Sequence, residues 1–246
     1  MEHAKLMVHT GGIRVTRADL ATCETPAATA TWKPLPHHVL VDAIHAEVAH
    51  RKIAVVKEEY AIQRRTNMLV GTMVLNWLDS DEFAAAIAFR HANDMSEAVK
   101  LYAGVRVFAC DNTTVSGDEI ILRKKHTKHF DIRAELPKAF DRYKEGTLVL
   151  TRGIDALKQS LCSELDAKER IYDIFRKKIV PLRLFHSVVE SWHRQWSSEG
   201  VYCNEWVLHN CFTAHLKHLT PNAAMRANVR LGPFFQLGRA KEVVHG

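Results

Sequence analysis

The sequence predicts an α+β fold, with a mostly antiparallel sheet in the first half followed by a helical second half. Two observations predict it. Before about residue 127, short segments rich in β-branched or alternating residues are separated by turn-forming residues, the two-residue period of half-buried strands. After about residue 128, apolar residues recur three and four apart between cap and proline signals, the period of amphipathic helices. With 246 residues and 47% hydrophobic content, the chain is long enough to bury a core without disulfide staples.

Residues 1–31 are rich in Thr, Ala and His with no sustained period, and read as an arm loosely held or packed on a partner. Order is expected from Trp32-Lys33-Pro34-Leu35-Pro36, where two prolines force extended backbone. Leu40, Val41, Ile44 and Val48 then fall at helical spacing, giving a helix that ends near Arg51. Strands are predicted over Ile53–Ile62, Met68–Trp77 and Phe83–Arg90, although Ala84-Ala85-Ala86 suits a helix as well. A short helix over Ser96–Tyr102 stopped by Gly104 comes next. Two more strands follow, Val105–Cys110 and Glu119–Lys125, joined across Ser116-Gly117-Asp118.

In the helical half, Asp131–Lys144 reads as a helix bent at Pro137, and Ile154–Leu165 as a second. Ser163 to Asp166 resembles a capping box for a helix through Ile171, Ile174, Phe175 and Ile179, ended by Pro181. Leu182–Trp196 and Asn204–Leu219 each carry one apolar face, and Pro221 reads as the stop of the last. With no repeat or low-complexity linker, residues 32–220 form one expected α+β domain, its sheet half about 32–127 and its helical half about 128–220. Residues 221–246 are left as a basic tail.

No window reaches the ~18 uninterrupted apolar residues of a membrane span. Glu2, His3, Lys5 and His9 stand where a signal peptide needs an apolar core. A cytoplasmic protein with no membrane partner is expected. Five cysteines, an odd number at irregular spacing, suit reduced core thiols.

Charge is distributed unevenly. There are 34 Lys+Arg against 28 Asp+Glu, a formal net charge of +6. Up to Asp118 the chain holds 12 basic and 14 acidic residues; beyond it, 22 and 14, so +8 lies in the second part. Arg123, Lys124, Lys125 and Lys128 form one cluster and Arg176, Lys177, Lys178 and Arg183 another. Such clusters suit phosphate-backbone contact, where each neutralised phosphate releases counterions. Lys177 also lies four after Asp173, the spacing of ordinary salt-bridge lacing on a solvated face. Phe130, Phe175 and Phe185 are spaced for core packing more than for base stacking.

Catalytic and metal-binding patterns are sparse. Cys211, His215 and His218 recur at i, i+4 and i+7, a spacing that presents three donors to zinc, but they border an apolar stripe. His126 and His129 with Cys110 make a second cluster, whose neighbours Lys124, Lys125 and Lys128 repel a dication. Asp79, Asp81, Glu82, Asp94 and Asp111 are the carboxylates available to a metal-dependent nuclease, and Cys110 with His126 a formal nucleophile and base. No phosphate-binding loop, dinucleotide fingerprint, nucleophile elbow or zincin helix is present. Neither a catalytic residue, a metal nor a cofactor is assigned.

The middle of the chain resembles a known family. Arg90, Asp94 and Ser96, then Gly104-Val105-Arg106-Val107-Phe108-Ala109-Cys110-Asp111-Asn112, then Gly117 and the basic His126 are similar to the phage/plasmid-like proteins grouped as domain of unknown function 932. Thr31 to His37 and Asn204 to Asn210 resemble further family segments. Ala92 stands where the family usually has Ser, and Asn93 where it usually has His. The resemblance covers roughly 31–220 and implies a mobile-element origin and a host-cytoplasm location, with no activity to carry over. Cys110 reads as a packed strand thiol, Asn112 as a turn closer, and Arg90 with Asp94 as a structural clamp, with phosphate contact by Arg90 as the alternative.

The leading expectation is a non-catalytic phage- or plasmid-type protein that binds or anneals single-stranded DNA through the two basic clusters, working as a homo-oligomer. A protein-interaction module that inhibits or remodels a host factor is the alternative, and a metal-dependent nuclease the third.

Overall fold

The computed structural model describes residues 12–63, 67–78, 83–107, 112–199 and 203–237. Six strands form one sheet in sequential order, every pair antiparallel: β1 (Ile13–Val15), β2 (Ala54–Gln63), β3 (Met68–Asn76), β4 (Phe83–Ala92), β5 (Val99–Val107) and β6 (Asn112–Lys124). Helices α1 (Arg17–Leu20) and α2 (His37–His50) lie between β1 and β2. After the sheet come α3 (Ile132–Gln159), α4 (Glu164–Arg176), α5 (Phe185–Glu199), α6 (Glu205–Thr213) and α7 (Pro221–Phe234). The chain is therefore α+β, with its sheet first and its helices second.

Both faces of the central strands are apolar, so both need cover. On one face Leu69, Met73, Ile87, Phe89, Leu101 and Ile121 pack against Leu40, Val41 and Ile44 of α2 and against Ile132, Leu136, Phe140 and Tyr143 of α3. On the other, Met68, Val70, Ala88, Ala92 and Tyr102 pack against Met225 of α7. The far half of α3 (Leu150, Ile154, Leu157) joins Phe83, Val105 and the apolar faces of α4 to α7 in a second core.

Several expectations are corrected. Residues 13–20 are part of the fold: β1 pairs with β2 at Ile13↔Ile62, and a capping box between Thr16 and Asp19 starts α1, whose Leu20 is fully buried. Ser96–Tyr102 is no helix; Val99, Leu101, Ala103 and Val105 alternate with Lys100, Tyr102, Gly104 and Arg106, the period of the strand they join. Ser116-Gly117-Asp118 is no hairpin turn. It lies within β6, where the register jumps from Tyr102↔Ile120 to Gly104↔Val115 and the extra residues form an irregularity.

The expected helix 131–144 and the first half of 154–165 are one continuous α3, because a single stripe from Ile132 to Leu157 is buried along its length; the chain breaks after Gln159, and Glu164 and Leu165 open α4. Pro137 sits early in it, in the second turn. Pro221 opens α7 at its first turn behind the Thr220 N-cap, the position where a missing N–H costs nothing. The expected tail is therefore helical to Phe234, with Leu231, Phe235 and Leu237 buried. The Ser163/Asp166 capping box forms as expected.

Gly71 on β3 is required by its neighbours. A Cβ built there meets Phe89 Cζ at 2.3 Å, and Phe89 is itself fully buried. Gly71→Ala is expected to destabilise the protein by about 1–3 kcal/mol through overpacking, read as a lowered urea midpoint at unchanged m-value.

Candidate nucleic-acid interface

The extended segment before α2 straps across the start of the helical half. Trp32 bridges Thr127 antiparallel, the Lys33 amide donates to the His126 carbonyl at 3.2 Å, and the Lys128 amide donates to the Thr31 carbonyl at 3.1 Å. Asn93 fastens the strap from the sheet side: its side chain accepts from the Leu35 amide at 3.1 Å and donates to the Leu35 carbonyl at 2.9 Å. Asn93 thus acts as a buried backbone clamp, which explains an amide at this position.

Beneath the strap lie three imidazoles, His37, His91 and His126, at 1%, 0% and 4% exposure. His37 Nε2 meets Asn67 Oδ1 at 2.8 Å, while Asn67 Nδ2 donates to the Glu24 carbonyl at 2.9 Å. That arrangement makes Asn67 Oδ1 an acceptor and puts the His37 proton on Nε2. His37 Nδ1 then accepts from His91 Nε2 at 2.9 Å, which leaves His91 Nδ1 bare; it is buried without a partner. His126 stacks on His91 with ring centroids 5.4 Å apart, and neither of its nitrogens has a hydrogen-bond partner among the described residues. Burial is the main cause that holds all three below the usual histidine value, His91 well below it, and neighbouring imidazoles add to the effect on His91 and His126.

Cationic clefts open on both sides of the strap. The first, about 550 Å³, has Trp32, Thr127 and His126 on one wall and Met95, Glu97, Lys100, Arg123 and Lys125 on the others. The second, about 580 Å³, lies where α2 and α3 begin and is lined by Lys33, Lys128, His129 and Arg133, with Phe130 and Asp131. Asp131 is occupied as the α3 N-cap, accepting from the Arg133 amide at 2.9 Å. Trp32, half-buried, lines the first cleft, and the next residue, Lys33, lines the second.

The first basic cluster is split by strand alternation. Arg123 and Lys125 are exposed at the first cleft and Lys128 at the second, and none of the three makes an ion pair among the described residues. Lys124 faces the other way and pairs with Glu135 of α3 at 3.1 Å. Register adds cations from outside the two basic clusters: Arg90 lies directly opposite Lys100, and Lys100 opposite Arg123, one row across β4, β5 and β6. Like charges directly opposite cost a few tenths to ~1 kcal/mol each. Glu97 moderates the row by reaching both Lys100 and, at 3.6 Å, Arg90.

The second cluster is largely spent on structure. Arg176 and Lys177 both pair with Asp173, at 2.8 and 3.5 Å, the second as its spacing four after Asp173 implies. Arg183 donates to the His218 carbonyl at 3.3 Å. Lys178, exposed and with φ of 52°, borders a cleft of about 590 Å³ with Asn222, Arg226 and Arg230 of α7.

The motif residues do not gather into one site. Arg90 is buried and bonds Asn222 at 3.0 Å, while Asp94 Oδ1 accepts from the Ser96 amide at 2.9 Å, so the expected Arg90–Asp94 clamp is replaced by Arg90 with Glu97 and Asn222. Gly104 lies in β5 opposite Ala86 and Val115, and Asn112 begins β6 opposite Val107. Cys110 falls outside the described residues, as do Asp79, Asp81, Glu82 and Asp111.

Helix α6 ends at Thr213, so Cys211, His215 and His218 share no helical face; His215 instead meets Ser191 Oγ at 2.7 Å. Among the described residues no three His, Cys, Asp or Glu are grouped to hold a metal. Cys162 and Cys211 are buried free thiols pushed up to about 12 by desolvation.

The imidazole cluster fixes a pH dependence. Because burial depresses the folded values, the unfolded chain binds more protons below about pH 6.5, and stability is lost as pH falls from there through the folded values. His209, held down to about 3 by burial, and His215 act in the same direction. The urea midpoint is expected to drop between pH 7.5 and 5, and less so in His126→Phe; a flat profile contradicts the burial argument.

Compared with family models, with curated proteins and with solved structures, the chain finds no match, so a functional reading rests on this geometry.

Proposed function

We propose that this chain binds single-stranded nucleic acid, DNA in the first instance, at the strap, without catalysing a reaction on it. One observation carries the reading: a half-buried tryptophan lines a cleft with Arg123 and Lys125, the next residue, Lys33, lines a second cleft with Lys128, and none of Arg123, Lys125 and Lys128 is neutralised by an ion pair among the described residues. Cations that track a backbone beside an aromatic face are the parts a single strand needs, because an unpaired base stacks where a paired one cannot. A phage- or plasmid-type role in the host cytoplasm is the setting that the resemblance suggests.

A second reading has its own observation. Leu161, Leu165 and Tyr172 are 70%, 66% and 65% exposed along and just before α4, large apolar side chains suited to contact with a partner protein or a second copy of the chain. Concentration-dependent light scattering tests self-association through it.

Anisotropy of labelled oligo-dT across a salt series tests the main reading. Arg123→Ala and Lys125→Ala are each expected to reduce the salt slope by about 0.7, while Lys124→Ala, already paired with Glu135, changes it little. Trp32→Ala is expected to cost about 1–3 kcal/mol of binding, the worth of one stacked base. Absent or salt-insensitive binding, or equal losses in Lys124→Ala and Arg123→Ala, contradicts it.

A further inference from the structure

We infer that the path for the single strand does not end at the strap but continues along the Arg123, Lys100, Arg90 row to the cationic cleft of α7. The inference rests on the strap reading and extends it to a second contact surface.

Three features join the two places. Arg123 and Lys100 line the strap's first cleft, and register places Arg90 next in the same row. Arg90 is 6% exposed and its Nε has no hydrogen-bond partner among the described residues, while its Nη1 donates to Asn222 Oδ1 at 3.0 Å. Asn222 in turn lines the α7 cleft with Lys178, Arg226 and Arg230. Arg90 therefore neighbours a residue of each cleft, Lys100 across the strand pair and Asn222 through its hydrogen bond, and adds its positive charge beneath the span between them. Adjacent strands lie about 4.8 Å apart, so the row spans about 10 Å, and Asn222 to Arg230 adds about 12 Å of helix.

Charge on the far cleft is available to a polyanion. Helix α7 carries no acidic residue. Arg226 and Arg230 are exposed one turn apart, and the Arg230 guanidinium donates to the Lys178 and Lys177 carbonyls at 2.7 and 3.0 Å, neutral partners that orient it without cancelling its charge. On the row itself the counter-charge is Glu97, bonded to Lys100 and 3.6 Å from Arg90. A phosphate arriving there replaces a carboxylate that already marks the position of an anion. The occupant is thus a strand long enough to run from the strap to α7, and the row is the segment where its phosphates compete with Glu97.

Oligo-dT from about 4 to about 20 nucleotides tests the path, with wild type, the double variant Lys178→Ala/Arg226→Ala, and Glu97→Gln. Wild type is expected to gain affinity and salt slope as length passes the strap. The double variant, which leaves the Arg230 contacts in place, should bind the shortest oligomer like wild type and lose the gain, its slope for the longest falling by about 1.4. Glu97→Gln should bind the long oligomer several-fold more tightly. Unaltered length dependence in the double variant with short-oligomer binding intact overturns the path and leaves the strap reading standing. Failure of wild type to bind even the shortest oligomer overturns the strap reading and the path with it. Thermal unfolding by circular dichroism checks that each variant is folded.

Discussion

The two-sided burial of β3, β4 and β5 governs the rest of this structure. Each strand alternates apolar residues to both faces, with Leu69, Ile87 and Leu101 on one and Val70, Ala88 and Tyr102 on the other. A sheet of that kind cannot leave a face to water, and at ~25 cal/mol per Å² of buried apolar area the incentive to cover it outweighs any single polar contact. Helices α2 and α3 serve the first face. The second is served by α7, near the end of the chain, and this return brings Asn222 to Arg90 and sets Arg226 and Arg230 beside the C-terminal end of α4.

Cations collect at one margin of that cover. Near the end of β4, the start of β5 and the end of β6, the face that carries Ala88 and Tyr102 into the α7 contact also carries Arg90, Lys100 and Arg123. A row of like charges opposes pairing, so it persists by virtue of Glu97 and of the rigid sheet on which it is mounted. The strap is mounted with similar firmness, held by Asn93 and seated on an imidazole cluster that stays neutral because it is dry. The nitrogens of His91 and His126 that lack a hydrogen-bond partner among the described residues make this seat costly, and Trp32 lies beside it, its ring 6.3 Å from that of His126.

How far the fold was legible depended on whether local signals agreed with the tertiary contacts. Helix α2 and strands β2 to β4 were readable because their apolar periods coincide with burial. The start of β5 was not: Ser96-Glu97-Ala98 looks like a helix opening, whereas Asp94 and Ser96 close a local turn and Glu97 turns toward cations. Pro221 read as a stop and is a start, since proline is tolerated both after a helix and in its first turn. In the candidate site, Arg123, Lys125 and Lys128 were legible as a cluster. Their division from Lys124 follows from strand alternation, which the cluster's density concealed. Trp32, Lys33 and Arg133 were out of reach, because only the antiparallel bridge between distant segments brings them beside those cations.

A single strand seated on the strap would shield the amides of both its segments, so the most direct measurement is amide hydrogen exchange of the whole chain with and without single-stranded DNA. Slowed exchange over residues 31–35 and 123–130 on adding oligo-dT is the predicted result. Protection confined to α4 and α5, around Arg176 and Arg183, with the strap unchanged, would contradict it.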